Sequence, residues 1–153
     1  MIIKFLKGMK YAIKGIYTGI KEERNIRIDI VAALYVHAFS LFYDFTLSQR
    51  VMIVLICFNV MAFELMNTAV ERAVDKPDDA HYMSAGDAKD TAAGGVLLAA
   101  IGAAVAGVML FWNVETFKTI FAFFADDISH CIIFAVSMVF SYLFIVYDKF
   151  KKR

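Results

Sequence analysis

Long uncharged runs alternate along this chain with short clusters of charge, and the lengths of the runs are the first clue to its surroundings. Thr91 to Trp112 holds 22 residues without a charge, Cys131 to Tyr147 holds 17, and Val51 to Val70 holds 20 with Glu64 as its one charged residue. As helices rising about 1.5 Å per residue, each can cross a hydrocarbon core about 30 Å thick. A further stretch, Ile26 to about Phe45, is apolar from Ile30 to Tyr43 apart from His37. Arg27 and Asp29 fall in its first turns, where a charged end can sit at the interface. The segment before it, Met1 to about Glu23, follows another rule. Lys4, Lys7, Lys14 and Lys21 share one helical face, with Ile2, Phe5, Met9, Ile13, Ile16 and Ile20 among the apolar positions. That pattern predicts an amphipathic helix lying on a membrane surface. A cleaved signal peptide is not expected, because a lysine recurs every three to seven residues where an unbroken apolar core would be needed.

Composition agrees with this reading. The chain has 153 residues, of which 61% are hydrophobic, and its mean hydropathy is +0.64, well above ordinary soluble domains. A soluble globular protein is excluded. One proline, Pro77, and no low-complexity run argue against disorder. The expected fold class is therefore an all-α integral membrane protein, with an N-terminal amphipathic surface helix, three transmembrane helices and a further C-terminal one.

The balance of 16 Lys+Arg against 15 Asp+Glu gains meaning from its placement. With four spans and a cytoplasmic amino terminus, segments 1–27, 72–90 and 148–153 hold 7, 3 and 4 Lys/Arg, while 44–50 and 113–129 hold one each. Such a positive-inside bias predicts both termini in the cytoplasm, and the basic tail Lys149, Lys151, Lys152 and Arg153 needs the last span to return it there. Two units follow: residues 1–112, carrying the surface helix and three spans, and residues 113–153, carrying an outer loop, the extra span and the tail. Within the third span, Gly95, Ala99, Ala103 and Gly107 recur every four residues, a face that suits close approach of another helix, in the same chain or in a second copy.

Candidate chemistry gathers at one end of the spans. The second span ends in ELMNTAVERAVD, and offsets of 3, 7 and 11 residues put Glu64, Asn67, Glu71 and Asp75 in one stripe with about 16 Å of axial rise. A carboxylate repeated along one face at membrane depth argues for a polar cleft holding cations or a substrate. Structural ion pairs with nearby lysines are the competing explanation. KEERNIRID at the start of the first span and GDAKD at the start of the third lie on the same side. Carboxylates with a lysine and a glycine-containing turn are what a magnesium–nucleotide complex would require. No GxxxxGK[ST] loop or kinase glycine-rich loop occurs. His37, His81 and His130 lie in three separate places without metal-ligand spacing, and Cys57 and Cys131 fall in apolar runs, where structural roles are expected. Nucleic-acid binding has no support beyond lysines that topology already explains.

ELMNTAVERAVD, GDAKD about 11 residues later, and KEERNIRID after the amphipathic YAIKGI helix resemble the small prokaryotic diacylglycerol kinase family, which includes undecaprenol kinases. The resemblance covers about residues 4 to 112. It implies an integral inner-membrane homotrimer with three spans and a surface helix per chain, and active sites shared between protomers. The implied reaction transfers the γ-phosphate of Mg-ATP to a lipid hydroxyl at the cytoplasmic interface. Carried over by position, Glu64 would be the general base with Asn67 beside it, and Glu23 and Glu71 would hold Mg²⁺. Tyr11, Asp75, Lys89 and Asp90 would join those two carboxylates in contacting the nucleotide. Lys4 stands where an arginine is common in some members, and Asp29 where glutamate or histidine is usual. Residues 113–153 depart from the basic family pattern altogether. The string E-x-N-x-R-x-D from Glu23 to Asp29 looks more like the Gram-positive branch, which favours undecaprenol over diacylglycerol as acceptor. A non-enzymatic assembly protein or an inactive relative is the competing class, and an ion-coupled transporter is disfavoured because the outer half of the second span carries no carboxylate.

Overall fold

The computed structural model describes residues 2–75 and 83–151. Over them the chain forms six helices: α1 Ile2–Glu22, α2 Arg24–Ser40, α3 Leu47–Val74, α4 Met83–Phe111, α5 Val114–Asp126 and α6 Ile128–Lys151. Among the described residues, three helical segments are long and apolar enough to cross a membrane: Leu47–Val74, Ala85–Phe111 and Ile128–Tyr147. Their side chains face outward almost everywhere, as expected of helices whose solvent is lipid, with which the buried positions have little to compete.

The amphipathic helix α1 is the expected one, and its N-terminal turns stand clear of the bundle, with Ile2, Ile3, Phe5 and Leu6 exposed. Only its C-terminal turns dock. Gly19 is buried there because a Cβ at this position would collide with the end of Leu65 on α3. The Glu23 amide donates to the Gly19 carbonyl at 2.8 Å, and Glu23 then turns extended (φ −105°, ψ 121°), so that one residue separates α1 from α2.

The α2 helix is shorter than the sequence suggests. It stops at Ser40 rather than near Phe45. Ser40 Oγ donates to the His37 carbonyl, and Tyr43 donates its hydroxyl to the Phe111 carbonyl at 2.8 Å while stacking on Phe45. Both rings pack edge-on against Phe111, which pins the exit of α2 to the end of α4. A capping box between Thr46 and Gln49 then starts α3, satisfying amide donors that a helix start leaves unpaired. At 17 residues α2 is at the lower limit for a span. It nevertheless runs antiparallel to α6 through most of its depth: Arg27 meets Ile145, Tyr35 meets Ser141 and Ser137, and Phe39 meets Phe134. The starts of α1's partner helix and the end of α6 thus share one end of the bundle.

The small residues of α4 divide their work. Gly95 lies against Phe63 of α3, where a Cβ would sit 3.4 Å from the ring, and this is part of the most extensive helix pair in the chain. Ala103 and Gly107 instead wall an open groove between α2, α3 and α4. Segment 113–129, expected as an outer loop, contains the amphipathic helix α5, capped by Asn113 accepting from the Thr116 amide at 3.0 Å. Phe123 and Phe124 of α5 pack on Phe42 and Phe134. Asp127 accepts from the Ser129 amide at the start of α6, and the amide and hydroxyl of Ser129 together with His130 hold its carboxyl below the usual range.

The close approach at Gly19 makes a testable demand. Gly19→Ala should be accommodated, because only the tip of Leu65 must move, whereas Gly19→Leu should cost about 1–3 kcal/mol by overpacking and free α1. Thermal unfolding in detergent and proteolysis at Lys21 report this, and Leu65→Ala should restore the Gly19→Leu protein. Failure of that rescue would mean that α1 docks by other contacts.

Candidate active site

The stripe read from ELMNTAVERAVD survives as geometry, and the structure gives it a gradient of burial. Glu64 is 9% exposed, Asn67 and Glu71 are half-buried, and Asp75 is exposed at the end of α3. Asn67 Nδ2 donates to Glu71 Oε1 at 2.9 Å, one turn apart. Asn25, in the first turn of α2, is a polar neighbour of Glu64, and Asp29, Glu71 and Glu23 are its charged neighbours. Four carboxylates therefore meet at one end of the bundle, drawn from α3, from the start of α2 and from the α1–α2 junction.

Cations close the edges of this cluster. Arg72 Nη2 binds Glu23 Oε1 at 2.7 Å and Glu22 Oε2 at 3.2 Å, tying α3 to the junction. Lys89 Nζ grips both oxygens of Asp75 at 2.8 and 3.1 Å, with Glu71 and Asp90 as further charged neighbours. These pairs are solvent-exposed and screened, so each contributes little to stability. Their effect is on placement. Gly86, Asp87, Lys89 and Asp90 lie within the first turns of α4 rather than in a glycine turn, with open space around Gly86.

Ion pairing accounts for Glu23 and Asp75 but not for the interior of the cluster. Asp29 Oδ2 and Asn67 Oδ1 are both buried without a hydrogen-bond partner, and an unmatched buried acceptor costs roughly 1–3 kcal/mol. Hard oxygen donors left unsatisfied beside two further carboxylates suit a hard divalent cation, which typically keeps several waters and takes one or two protein carboxylates. Glu71 stands beside Asn67, and Glu23 is engaged by Arg72, which a cation held by Glu23 would have to displace. Among the described residues no group of three or more His, Cys, Asp or Glu forms a cage of its own, so phosphate oxygens would have to complete any coordination.

On the bilayer side of Glu64, an apolar groove of about 420 Å³ runs between α2, α3 and α4. Asp29 stands at its inner end, and Val60, Cys57 and Ile53 line it at successive turns outward from Glu64. Its volume is that of an ordinary small-molecule pocket. Tyr11 stands apart from this cluster: it lines a separate groove of about 470 Å³ between α1 and α3, with Thr68, Ala69 and Arg72. Asp90 is exposed on α4. Asn25 and Asp29 of the KEERNIRID segment and Arg72 of ELMNTAVERAVD join the cluster, although the sequence assigned none of them a role. Asn25 and Asp29 are four residues apart on one helical face, a spacing that could have signalled them. Of the histidines, His37 Nδ1 donates to the Ala33 carbonyl and His130 stacks on Phe123, while His81 lies outside the described residues. Cys57 lines the apolar groove, and Cys131 donates to the Phe124 carbonyl.

Comparison with known proteins meets this geometry. The profile of the family described as prokaryotic diacylglycerol kinase matches residues 10–111. The undecaprenol kinase of Bacillus subtilis is 32% identical over 108 residues, covering 71% of this chain and 88% of that protein. The diacylglycerol kinase of Escherichia coli is 28% identical over 110 residues, covering 72% and 90%. The diacylglycerol kinase of Synechocystis sp. is 38% identical over 104 residues, covering 67% and 59%. The profile ends with α4, so α5 and α6 are additions to the matched part. Because that profile spans two thirds of the chain, including every carboxylate of the cluster, the chain belongs to the prokaryotic diacylglycerol kinase family and is a membrane lipid kinase.

Proposed function

We propose that this kinase transfers the γ-phosphate of Mg-ATP to the hydroxyl of a membrane lipid alcohol, with undecaprenol favoured over diacylglycerol. The observation that carries the reading is the position of Glu64: buried, with an apolar groove on one side and a water-accessible cluster of carboxylates and Lys89 on the other. A lipid chain in the groove would bring its hydroxyl to Glu64, while a nucleotide would enter from Asp75 and Lys89. The undecaprenol preference rests on the E-x-N-x-R-x-D string and on the similarity to the Bacillus subtilis enzyme.

Each residue then has a chemical task. Glu64 takes the proton of the lipid alcohol, which is a poor nucleophile until it is deprotonated, and Asn67 orients the reacting groups beside it. The alcohol oxygen bonds to the γ-phosphorus as the bond to the bridging oxygen breaks, and ADP leaves with that electron pair. Glu23 and Glu71 hold Mg²⁺, which when bound neutralises charge on the phosphate oxygens. Lys89 and Asp75 receive the nucleotide at the exposed end, and Asp90 and Tyr11 complete its contacts. The place of Tyr11 in a groove between α1 and α3, apart from the groove beside Glu64, supports sites shared between neighbouring copies, as in a homotrimer. The charge distribution supports an inner (cytoplasmic) membrane location with both termini cytoplasmic, α2 being the first of four crossings.

An inactive relative or assembly protein is the alternative reading, and the Glu23–Arg72 and Asp75–Lys89 pairs favour it as far as they go. It leaves the buried, unpartnered oxygens of Asp29 and Asn67 without a purpose. Purified protein given labelled ATP with equal mole fractions of undecaprenol and diacylglycerol should label undecaprenol preferentially. Labelling of neither lipid would sink the kinase assignment.

Glu64→Gln keeps shape and removes the proton acceptor, so kcat should fall by roughly 100- to 10,000-fold with the Mg-ATP KM nearly unchanged. Glu71→Gln should instead raise the magnesium needed for half-maximal rate. A Glu64→Gln enzyme within a few-fold of wild type would rule out the base. A reporter fused after Arg153 should read as cytoplasmic, and an external reading would mean that α2 or α6 does not cross.

A further inference from the structure

Arg27 is the most deeply buried charged residue among those described, 3% exposed, and its partners include backbone carbonyls from two distant parts of the chain. Nη1 donates to the carbonyls of Ile20 and Lys21 at 3.0 Å each, and Nε donates to the carbonyl of Ile145 at 3.2 Å. Ile20 and Lys21 belong to the last turn of α1, whose carbonyls have no intrahelical partner and carry the negative end of the helix dipole. Ile145 belongs to α6, beyond the part of the chain that the family profile covers.

The register of α6 against α2 is fixed independently, two turns away. The Tyr35 hydroxyl meets Ser137 Oγ at 3.0 Å and Ser141 Oγ at 3.2 Å, and the Tyr35 and Phe39 rings pack edge-on against Phe134. A slip of α6 by one residue would move Ile145 by about 1.5 Å along the axis, enough to break a hydrogen bond to Arg27. What Arg27 holds in turn is the α1–α2 junction. Glu23, the extended residue of that junction, is suspended by its amide from Gly19 and by its carboxylate from Arg72. Asn25, two residues before Arg27, is a polar neighbour of Glu64.

We infer that α6 braces the phosphoryl-transfer site through Arg27, a positioning residue that sets where Glu23 and Asn25 stand. The added helix is thereby part of the machinery of the reaction without touching a substrate. This inference rests on the roles proposed above for Glu23 and Glu64, and it predicts that loosening α6 near the middle of the bundle will be felt at the metal and nucleotide end.

The test uses the full chain in three forms: Ser137→Ala/Ser141→Ala, which removes the hydroxyl bonds from α6 to Tyr35; Arg27→Lys, which keeps the charge but not the forked donors; and the combination. In protein free of nucleotide and metal, amide hydrogen exchange at Glu23 should quicken about 10-fold in each form, the size of one hydrogen bond to a charged group, while α3 and α4 amides keep their protection. The Mg-ATP KM should rise by a similar factor with kcat within about two-fold, because mere loss of folded protein would lower apparent kcat at unchanged KM. The combination should be no worse than the worse single form, since both break one linkage. Wild-type exchange at Glu23 in the serine variant, or effects that multiply in the combination, would overturn the brace. If Arg27→Lys fails to insert, the serine variant alone decides. A wild-type protein that labels neither lipid would sink the kinase reading, whereas exchange at Glu23 still reports on the brace.

Discussion

Holding a carboxylate at the edge of the hydrocarbon is the constraint on which the rest of this molecule depends. Glu64 sits in a helix whose outward neighbours, Val60, Cys57 and Ile53, are apolar, and a charge there loses much of its hydration. The bundle answers from several helices at once. Asn25 supplies a polar neighbour from α2, Asn67 and Glu71 follow down α3, and Lys89 of α4 and Arg72 of α3 place cations at the exposed rim. Were any of these elements to shift by a turn, an acid would remain in a low-dielectric setting without its companions. The polar end of the bundle is thus the most tightly specified part of it, although little of it is fully buried.

The same arrangement separates two solvents. A lipid alcohol and a nucleotide triphosphate share no common medium, so an enzyme joining them needs a boundary with a reactive group on it. Burial falls from Glu64 to Asp75 along a single helical face, and that gradient is the boundary. Under the proposed function, proton acceptance would fall at the apolar end, where a carboxylate is poorly solvated, and phosphate binding at the wet end, where cations can be exposed without cost.

Between the helices, affinity cannot come from expelling water, because lipid is as apolar as the side chains it touches. What joins α2 to α6 is accordingly polar or aromatic: Tyr35 with Ser137 and Ser141, Arg27 with a backbone carbonyl, and rings meeting edge to face at Phe134. What joins α3 to α4 is close approach at Gly95. The first of these accounts for how α6, outside the family profile, can be attached at a defined register rather than merely lying alongside.

The chain by itself determined the features that repeat over a few residues. The surface helix, the apolar spans of α3, α4 and α6, and the common face of Glu64, Asn67, Glu71 and Asp75 all follow from helical periodicity and run length, which are local properties. The order of burial along that face was legible for the same reason, since depth in a membrane follows position in a span. Tertiary structure decided the rest. That α2 ends at Ser40 depends on Tyr43 finding Phe111, 68 residues away, and that Arg27 is an anchor rather than an interfacial charge depends on Ile145, 118 residues away. The helix α5 was overlooked because a short amphipathic stretch between spans reads as a loop until Phe123 and Phe124 are seen to have partners. Whether a given polar group is satisfied, as Arg72 satisfies Glu23, or left open, as at Asp29 and Asn67, is a fact about what stands opposite it. Periodicity fixes the direction in which a side chain points along its own helix, and only packing brings the second helix that gives that direction its chemical meaning.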